Sequence, residues 1–447
     1  MKDRRWNRRQ LLQLAVSAPA AAALASCALP VLIPEETSTA SNPLGPDTEG
    51  VTISHWQPFS AGHRAAVETL KERFEEQNEG LTIDIQPVAW SAYWGYLSVR
   101  SAEGVSPDTY RIPMGLAENQ IATGRILPVS ELLLSNAEIE ESYLPWTVQR
   151  AKRDECYYGL PVDVQTLVVY RNNVLYAEAG LDPAAAFSDL EELFSHALAL
   201  TVHSDGKTSQ TGCRTGYSSA WFTILFQQYL QREEDGAAWI DPTSNQLVWQ
   251  EYPAIFEIFN WFCTLSAEAD DDEFLSFLRP EEQFVLEKSA MQIGHPVHRR
   301  ILEDLVPDVD YTIVPFPPRA SGQEPYTAGS HWLWVVSRSA ESYAEAAWKW
   351  VIFGTDREAQ TIWHQMAGDL PGVKELTADA SFRPDDNAAV CIDSLNHSTP
   401  WEWVGWTEWI TEFNNARNKV VNDAGDAQET YAEMIANLNQ TIAQYTA

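Results

Sequence analysis

The stretch from Val51 to Gln86 switches between two hydrophobic periods, and that switching leaves few architectures open. Val51-Thr52-Ile53 alternates like a strand and delivers His55, Trp56 and Gln57 to what reads as a loop at its carboxyl end. Val67, Leu70 and Phe74 then recur at helical spacing until Gly80 stops the helix, and Leu81, Ile83 and Ile85 alternate again. Strand, helix and strand in that order predict a βαβ unit, which builds a largely parallel sheet through right-handed crossovers. The pattern returns downstream. Leu167 to Tyr170, Tyr311 to Phe316 and Leu333 to Val336 read as strands. Ser188 with Glu191 forms a capping box for a helix through Leu190, Leu193, Phe194 and Leu198. Ala344, Ala347, Trp348 and Val351 mark another helix, and Tyr431, Met434, Leu438, Ile442 and Tyr445 the last. The fold class is therefore α/β.

The chain has 447 residues. The part beyond Val51 exceeds what one hydrophobic core organises, which predicts two lobes. The residues before Val51 describe transport rather than fold. Arg4, Arg5, Arg8 and Arg9 precede a short apolar run, Leu11 to Ala25, so residues 1–26 read as an export signal. Arg8-Arg9 is similar to a twin-arginine signal, although ordinary secretion signals also carry such pairs. Leu24-Ala25-Ser26-Cys27 resembles the bacterial lipobox, in which Cys27 receives the lipid; the alternative is cleavage at a nearby small-residue site. Residues 27–50 are rich in Pro, Glu, Ser, Thr and Gly and read as a flexible tether.

With 30 basic and 63 acidic residues the formal net charge is −33, a field that repels nucleic acid and anionic lipid. Cys156, Cys213, Cys263 and Cys391 allow three full disulfide pairings, between which sequence does not choose, and none has zinc-site spacing. No metal, cofactor or catalytic constellation is expected. The chain lacks G-x-S-x-G, H-E-x-x-H, Walker A and G-x-G-x-x-G motifs.

Taken in order, several segments resemble the extracellular solute-binding protein family 1, the sugar-binding components of ABC importers. They are Phe74 to Gly80 followed by Leu81 to Gln86; Ser106-Pro107-Asp108; Ala122 to Leu127; and Tyr158-Gly159-Leu160-Pro161-Val162-Asp163 running on to Tyr170-Arg171-Asn172, where Arg171 splits the usual Tyr-Asn. Phe284 to Gly294, Gly329-Ser330-His331-Trp332, Ala346-Ala347-Trp348 and Gly368-Asp369-Leu370-Pro371 follow. The resemblance implies a two-lobed, periplasmic-binding-protein-like (type II) fold with the ligand cleft between lobes. It assigns residues 51–162 and 313–356 to lobe one, and 163–312 and 357–447 to lobe two. A lipid-anchored, monomeric receptor that closes on a solute and presents it to an ABC permease is the implied function, with contact to the membrane through its lipid alone.

The 18 Trp fit a carbohydrate cleft, because indole faces pack on the C–H face of a sugar ring while polar groups take its hydroxyls. Carried over by position, the resemblance nominates His55 and Trp56 after strand 1, and Trp90 with Tyr93 in the loop after strand 2. Asp163 and Gln165 follow at the crossing, then Trp221, His295, Ser330, Trp332 and Trp403. Two rivals remain open at this stage: the same fold holding a polyamine, other small cation, iron or peptide, and a secreted glycosidase, for which carboxylates are abundant but no pair is specific.

Overall fold

Val51–Pro58 and Leu81–Val88 pair in parallel, Val51 opposite Leu81 and Pro58 opposite Val88, with helix Ala61–Gln77 between them in sequence. The predicted βαβ unit therefore opens the body. A computed structural model of the chain describes residues 50–58, 61–88, 90–205, 207–214, 223–234, 236–269, 278–400 and 406–446. They lie in one compact unit, Glu49–Ala447. The export signal, the tether with Cys27, and the candidates Trp221 and Trp403 fall outside the described residues, as do the side chains of Trp90 and Ser330.

Two mixed sheets organise this unit. The first runs Ser398–Pro400, Thr327–Val336, Thr109–Pro113, Val51–Pro58, Leu81–Val88, and Leu160–Gln165 also pairs with Thr327–Val336. The second runs Tyr311–Pro315, Val168–Asn172, Ser289–Gly294, Lys207–Arg214, Val202–Ser204. One apolar layer, with Ile53, Val67, Leu70, Phe74, Trp334, Trp348, Trp350 and Trp363, packs helices Ala61–Gln77, Ala344–Thr355 and Arg357–Ala367 against the first sheet. The alternating residues Tyr110, Ile112, Leu333 and Val335 face a second layer with Tyr93 and Leu97. A third core, built from Leu193, Phe226, Trp249, Phe259, Phe262, Trp409, Phe413 and Leu438, belongs to the second sheet.

Strand pairing shows which segments each sheet takes up. Leu160–Gln165 continues in the first sheet past residue 162. Tyr311–Pro315 lies wholly in the second. Ser398–Pro400 returns to the first sheet, and helix Arg357–Ala367 brings Met366 against Gly62 of helix Ala61–Gln77.

Local elements depart from the sequence reading in places. The first strand runs to Pro58, so His55 and Gln57 are strand residues sharing the inward face with Ile53; their polar side chains disguised the alternation. Trp90 and Tyr93 sit on helix Trp90–Glu103, not in a loop. The cap of helix Leu190–Leu200 is Asp189, whose Oδ1 accepts from the N–H of Glu192, while Glu192 accepts from the N–H of Ser188. Cys156, Cys213, Cys263 and Cys391 are all free thiols. Among the described residues, no helix is long and apolar enough to cross a membrane.

Candidate functional site

In open α/β sheets the carboxyl ends of strands carry the ligand sites. Here that edge of the first sheet holds a buried polar network assembled from four separate segments. Arg111, in the fully buried strand Thr109–Pro113, donates through Nη2 to Oδ2 of Asp163 on strand Leu160–Gln165. Its Nη1 lies 3.9 Å from Oδ2 of Asp369, in the turn after helix Arg357–Ala367. His63, in the first turn of helix Ala61–Gln77, reaches both carboxylate oxygens of Asp369 at 3.1 Å. The ring of Trp332 packs beneath the guanidinium, 5.2 Å from its carbon.

The network continues into the crossing between sheets. Gln165 Nε2 donates to Asp163 Oδ1 at 2.6 Å, and Gln165 Oε1 accepts from the N–H of Val297 at 3.2 Å. Beside it His295 Nδ1 donates to the carbonyl of Thr166 at 2.7 Å, and Thr166 Oγ1 meets Ser394 Oγ at 2.5 Å. Leu167 N–H donates to Thr327 Oγ1 at 3.0 Å. Side-chain bonds thus tie residues 165–167, which lead from one sheet to the other, to the segments on either side.

Burial sets the electrostatics. Desolvation, reinforced by the nearby charge of Asp369, pushes Asp163 up to about 7 although Arg111 opposes it. Asp369 is also buried, which pushes it up, but His63 and Arg111 outweigh that and hold it below the usual carboxylate range. His63, Asp163 and Asp369 place donor atoms within 4.8 Å of one another, a spacing that a cation favours. Arg111 is that cation, bonded to one carboxylate and facing the other.

The nominated residues divide. Asp163, Gln165 and Trp332 meet in the network, and His295 joins through Thr166. Trp56 lies on the other face of the first strand and donates its indole N–H to Gln86 Oε1 at 2.7 Å. His55 points inward from the first strand. It is fully buried, its ring 4.2 Å from that of Trp334, with Thr109 and Gln57 as partners, and desolvation lowers its pKa to about 3. Tyr93 is equally buried and spends its hydroxyl on the carbonyls of Trp56 and Arg111. Ser330 lies opposite Gln165 in the strand ladder, and Trp90 begins its helix. His63, Arg111 and Asp369 escaped the sequence reading. The only local hint was a charge at Arg111 inside an otherwise strand-like segment.

A family model described as bacterial extracellular solute-binding protein matches residues 69–390. The maltodextrin-binding protein MdxE of Bacillus subtilis is 21% identical over 419 residues, covering 89% of this chain and 93% of its own. An uncharacterized ABC transporter extracellular-binding protein of Pyrococcus horikoshii is 20% identical over 429 residues, 92% of this chain and 86% of its own. Among solved structures, the ABC substrate-binding protein Lmo0181 of Listeria monocytogenes, in complex with cycloalternan, superposes with a TM-score of 0.74. It is 19% identical and covers 88% of this chain and 99% of that one. The likeness gives the fold, a two-lobed α/β binding protein, and the family model matches most of the body. The chain belongs to the bacterial extracellular solute-binding protein family.

Proposed function

We propose that the chain captures an oligosaccharide between two closing lobes and delivers it to the permease of an ABC importer. The observation that carries this reading is the match to MdxE, a protein named for maltodextrin binding, across 89% of this chain. Aromatic and polar groups at the carboxyl edge of the first sheet support it. Trp56 lies beside Gln86, and His63, Asp163 and Gln165 supply imidazole, carboxylate and amide. Trp90, Trp221 and Trp403 are proposed to stack on sugar rings, with Ser330 bonding hydroxyls at the rim. Trp332, His295, His55 and Tyr93 support these groups from below. The protein acts outside the cytoplasm, anchored through a lipid on Cys27, with residues 27–50 as tether, and works as a monomeric receptor without catalysis of its own.

Thermal-shift screening of the purified protein tests the reading, because a bound solute raises the melting temperature by linkage. Maltodextrins, mannooligosaccharides, polyamines and amino acids form the panel. Stabilisation by at least one oligosaccharide is expected. A response confined to polyamines overturns the sugar assignment, and release of nitrophenol from aryl glycosides overturns the receptor assignment.

A further inference from the structure

Three chain segments link the two sheets, and a cavity of about 120 Å³ opens where they meet. Thr166-Leu167 joins Leu160–Gln165 to Val168–Asn172, and residues 316–326 join Tyr311–Pro315 to Thr327–Val336. The third is helix Asp386–Ser394, which holds Tyr311–Pro315 through Asn387 and runs by way of Leu395–His397 into Ser398–Pro400 of the first sheet. Leu167, Pro315, Phe316, Pro325, Tyr326 and Val390 form the apolar wall of the cavity. Asp393 and His397, both exposed, complete it towards solvent. None of His63, Arg111, Asp163 and Asp369 lines it. We propose that this cavity is an effector site for a small amine carrying one aromatic ring, separate from the solute cleft.

Size and chemistry select the ligand. An apolar cavity of about 150 Å³ takes up benzene, so this one holds a single ring and excludes an oligosaccharide. Its inner hydroxyls are already engaged. Thr327 Oγ1 accepts from the N–H of Leu167 at 3.0 Å, and Ser394 Oγ donates to the carbonyl of Cys391 at 2.6 Å and meets Thr166 Oγ1 at 2.5 Å. The interior therefore asks for an apolar body, and the polar end of a ligand falls to the rim. There Asp393 Oδ1 accepts from Arg383 Nη1 at 2.6 Å, and among the described residues no hydrogen bond reaches Oδ2. A carboxylate oxygen accepts from an ammonium group, and the net charge of −33 concentrates cations around the chain.

One wall of the cavity is held from behind. Arg232, near the end of helix Thr223–Glu233, donates to the carbonyls of Glu324 and Pro325, the latter at 3.0 Å, and lies 4.9 Å over the ring of Tyr326. Glu233 accepts from Arg319 Nε at 2.6 Å and from Gln323 Nε2 at 3.3 Å. A ring entering such a wall orders little that is not ordered already, which lowers the cost of binding. The regulatory half of the inference rests on the receptor reading, whereas the site itself does not. Closure of two lobes is absorbed by the segments that join them. A ring lodged among all three of those segments favours one arrangement of the lobes over the other and so couples to solute affinity.

Calorimetry of the full-length chain with phenethylamine tests the site. Saturable binding is expected, lost in Val390→Phe, which fills the cavity from a half-buried position, and weakened about two- to fivefold in Asp393→Asn, the range of an exposed ion pair. Phenethyl alcohol, with the same ring and no charge, should bind more weakly. Absence of phenethylamine binding, or binding that Val390→Phe leaves unchanged, overturns the site. Equal affinity for the alcohol, or an unchanged affinity in Asp393→Asn, overturns the assignment to an amine. If Val390→Phe does not fold, Asp393→Asn, at an exposed position, carries the test. Saturating phenethylamine is further expected to change the affinity for maltotriose, or another panel sugar that binds, by more than about twofold in the wild type. An unchanged sugar affinity overturns the effector role. If no panel sugar binds, the sugar reading fails instead, and the amine titration still decides the site.

Discussion

Gln165 accepts the backbone N–H of Val297 at 3.2 Å while its amide nitrogen donates to Asp163 at 2.6 Å. One side chain therefore bridges the end of a first-sheet strand and the segment leading into helix His298–Leu305. Gln165→Leu keeps the bulk and deletes both bonds, leaving a backbone donor and a carboxylate oxygen short of a partner. A loss of about 1–3 kcal/mol in stability is expected from urea unfolding. Because the bond spans the crossing, the same variant should also release solute faster in stopped-flow fluorescence. An unchanged release rate would assign Gln165 to stability alone.

The pH dependence of stability carries its own signature. Asp163 is raised from the ordinary carboxylate value to about 7 in the folded chain, mainly by burial. Between those values the folded state binds more protons than the unfolded state, so stability falls as pH rises from about 4 towards 7. Asp369 is shifted downward, and its contribution is lost only under more acidic conditions. Asp163→Asn should flatten the wild-type slope between pH 5 and 7 in urea midpoints. A wild-type midpoint that climbs over that interval contradicts the assignment.

The residues that sequence made legible are those whose neighbours are local. Val51-Thr52-Ile53, Val67, Leu70 and Phe74 report their own periodicity, and the βαβ unit followed. His55 and Gln57 share that periodicity, but polar side chains on an inward face read as loop until Trp334 is seen beside them, donating to Gln57 at 3.2 Å. The network was illegible for a different reason. His63 and Asp369 are 306 residues apart, and no spacing rule joins them. Asp369 stood inside the Gly368-Asp369-Leu370-Pro371 segment that helped identify the family, at a position that the segment's resemblance leaves open. Asp163 and Gln165 were found by position in the family pattern, which does not reveal that both spend their polar atoms inside the protein.

Close packing around Trp334 yields a steric prediction. A Cβ on Gly354 would lie 2.0 Å from Trp334 Cζ3, and that indole is held by His55, Trp350 and Trp363 around it. Gly354→Ala should cost about 1–3 kcal/mol, since overpacking forces rings or backbone to shift. Adding Trp334→Leu should recover part of the loss, a coupling that a double-mutant cycle in urea measures. Strict additivity of the two substitutions would argue that the helix, and not the indole, absorbs the clash.

Arg171, the residue that splits the family's Tyr-Asn, is fully buried, and among the described residues Glu192 and Asp182 act on it through charge without forming a salt bridge. Its guanidinium carbon lies 3.8 Å from the centroid of the Phe187 ring and 5.1 Å from that of Tyr176, and Nη1 donates to the carbonyls of Pro183, at 3.0 Å, and Ala185, at 2.5 Å. A planar cation fits between aromatic faces and carbonyl oxygens in a way that a compact ammonium does not. Arg171→Lys keeps the charge and loses the plane, so it should destabilise the chain by about 1–3 kcal/mol. The site lies on the second-sheet strand Val168–Asn172, apart from the Arg111 network, so solute affinity at a temperature where the variant is folded should stay within about twofold of wild type. Urea unfolding and calorimetry with the same sugar separate the two effects. A variant that keeps its stability would mean that the loop through Pro183 and Ala185 holds its place without the guanidinium.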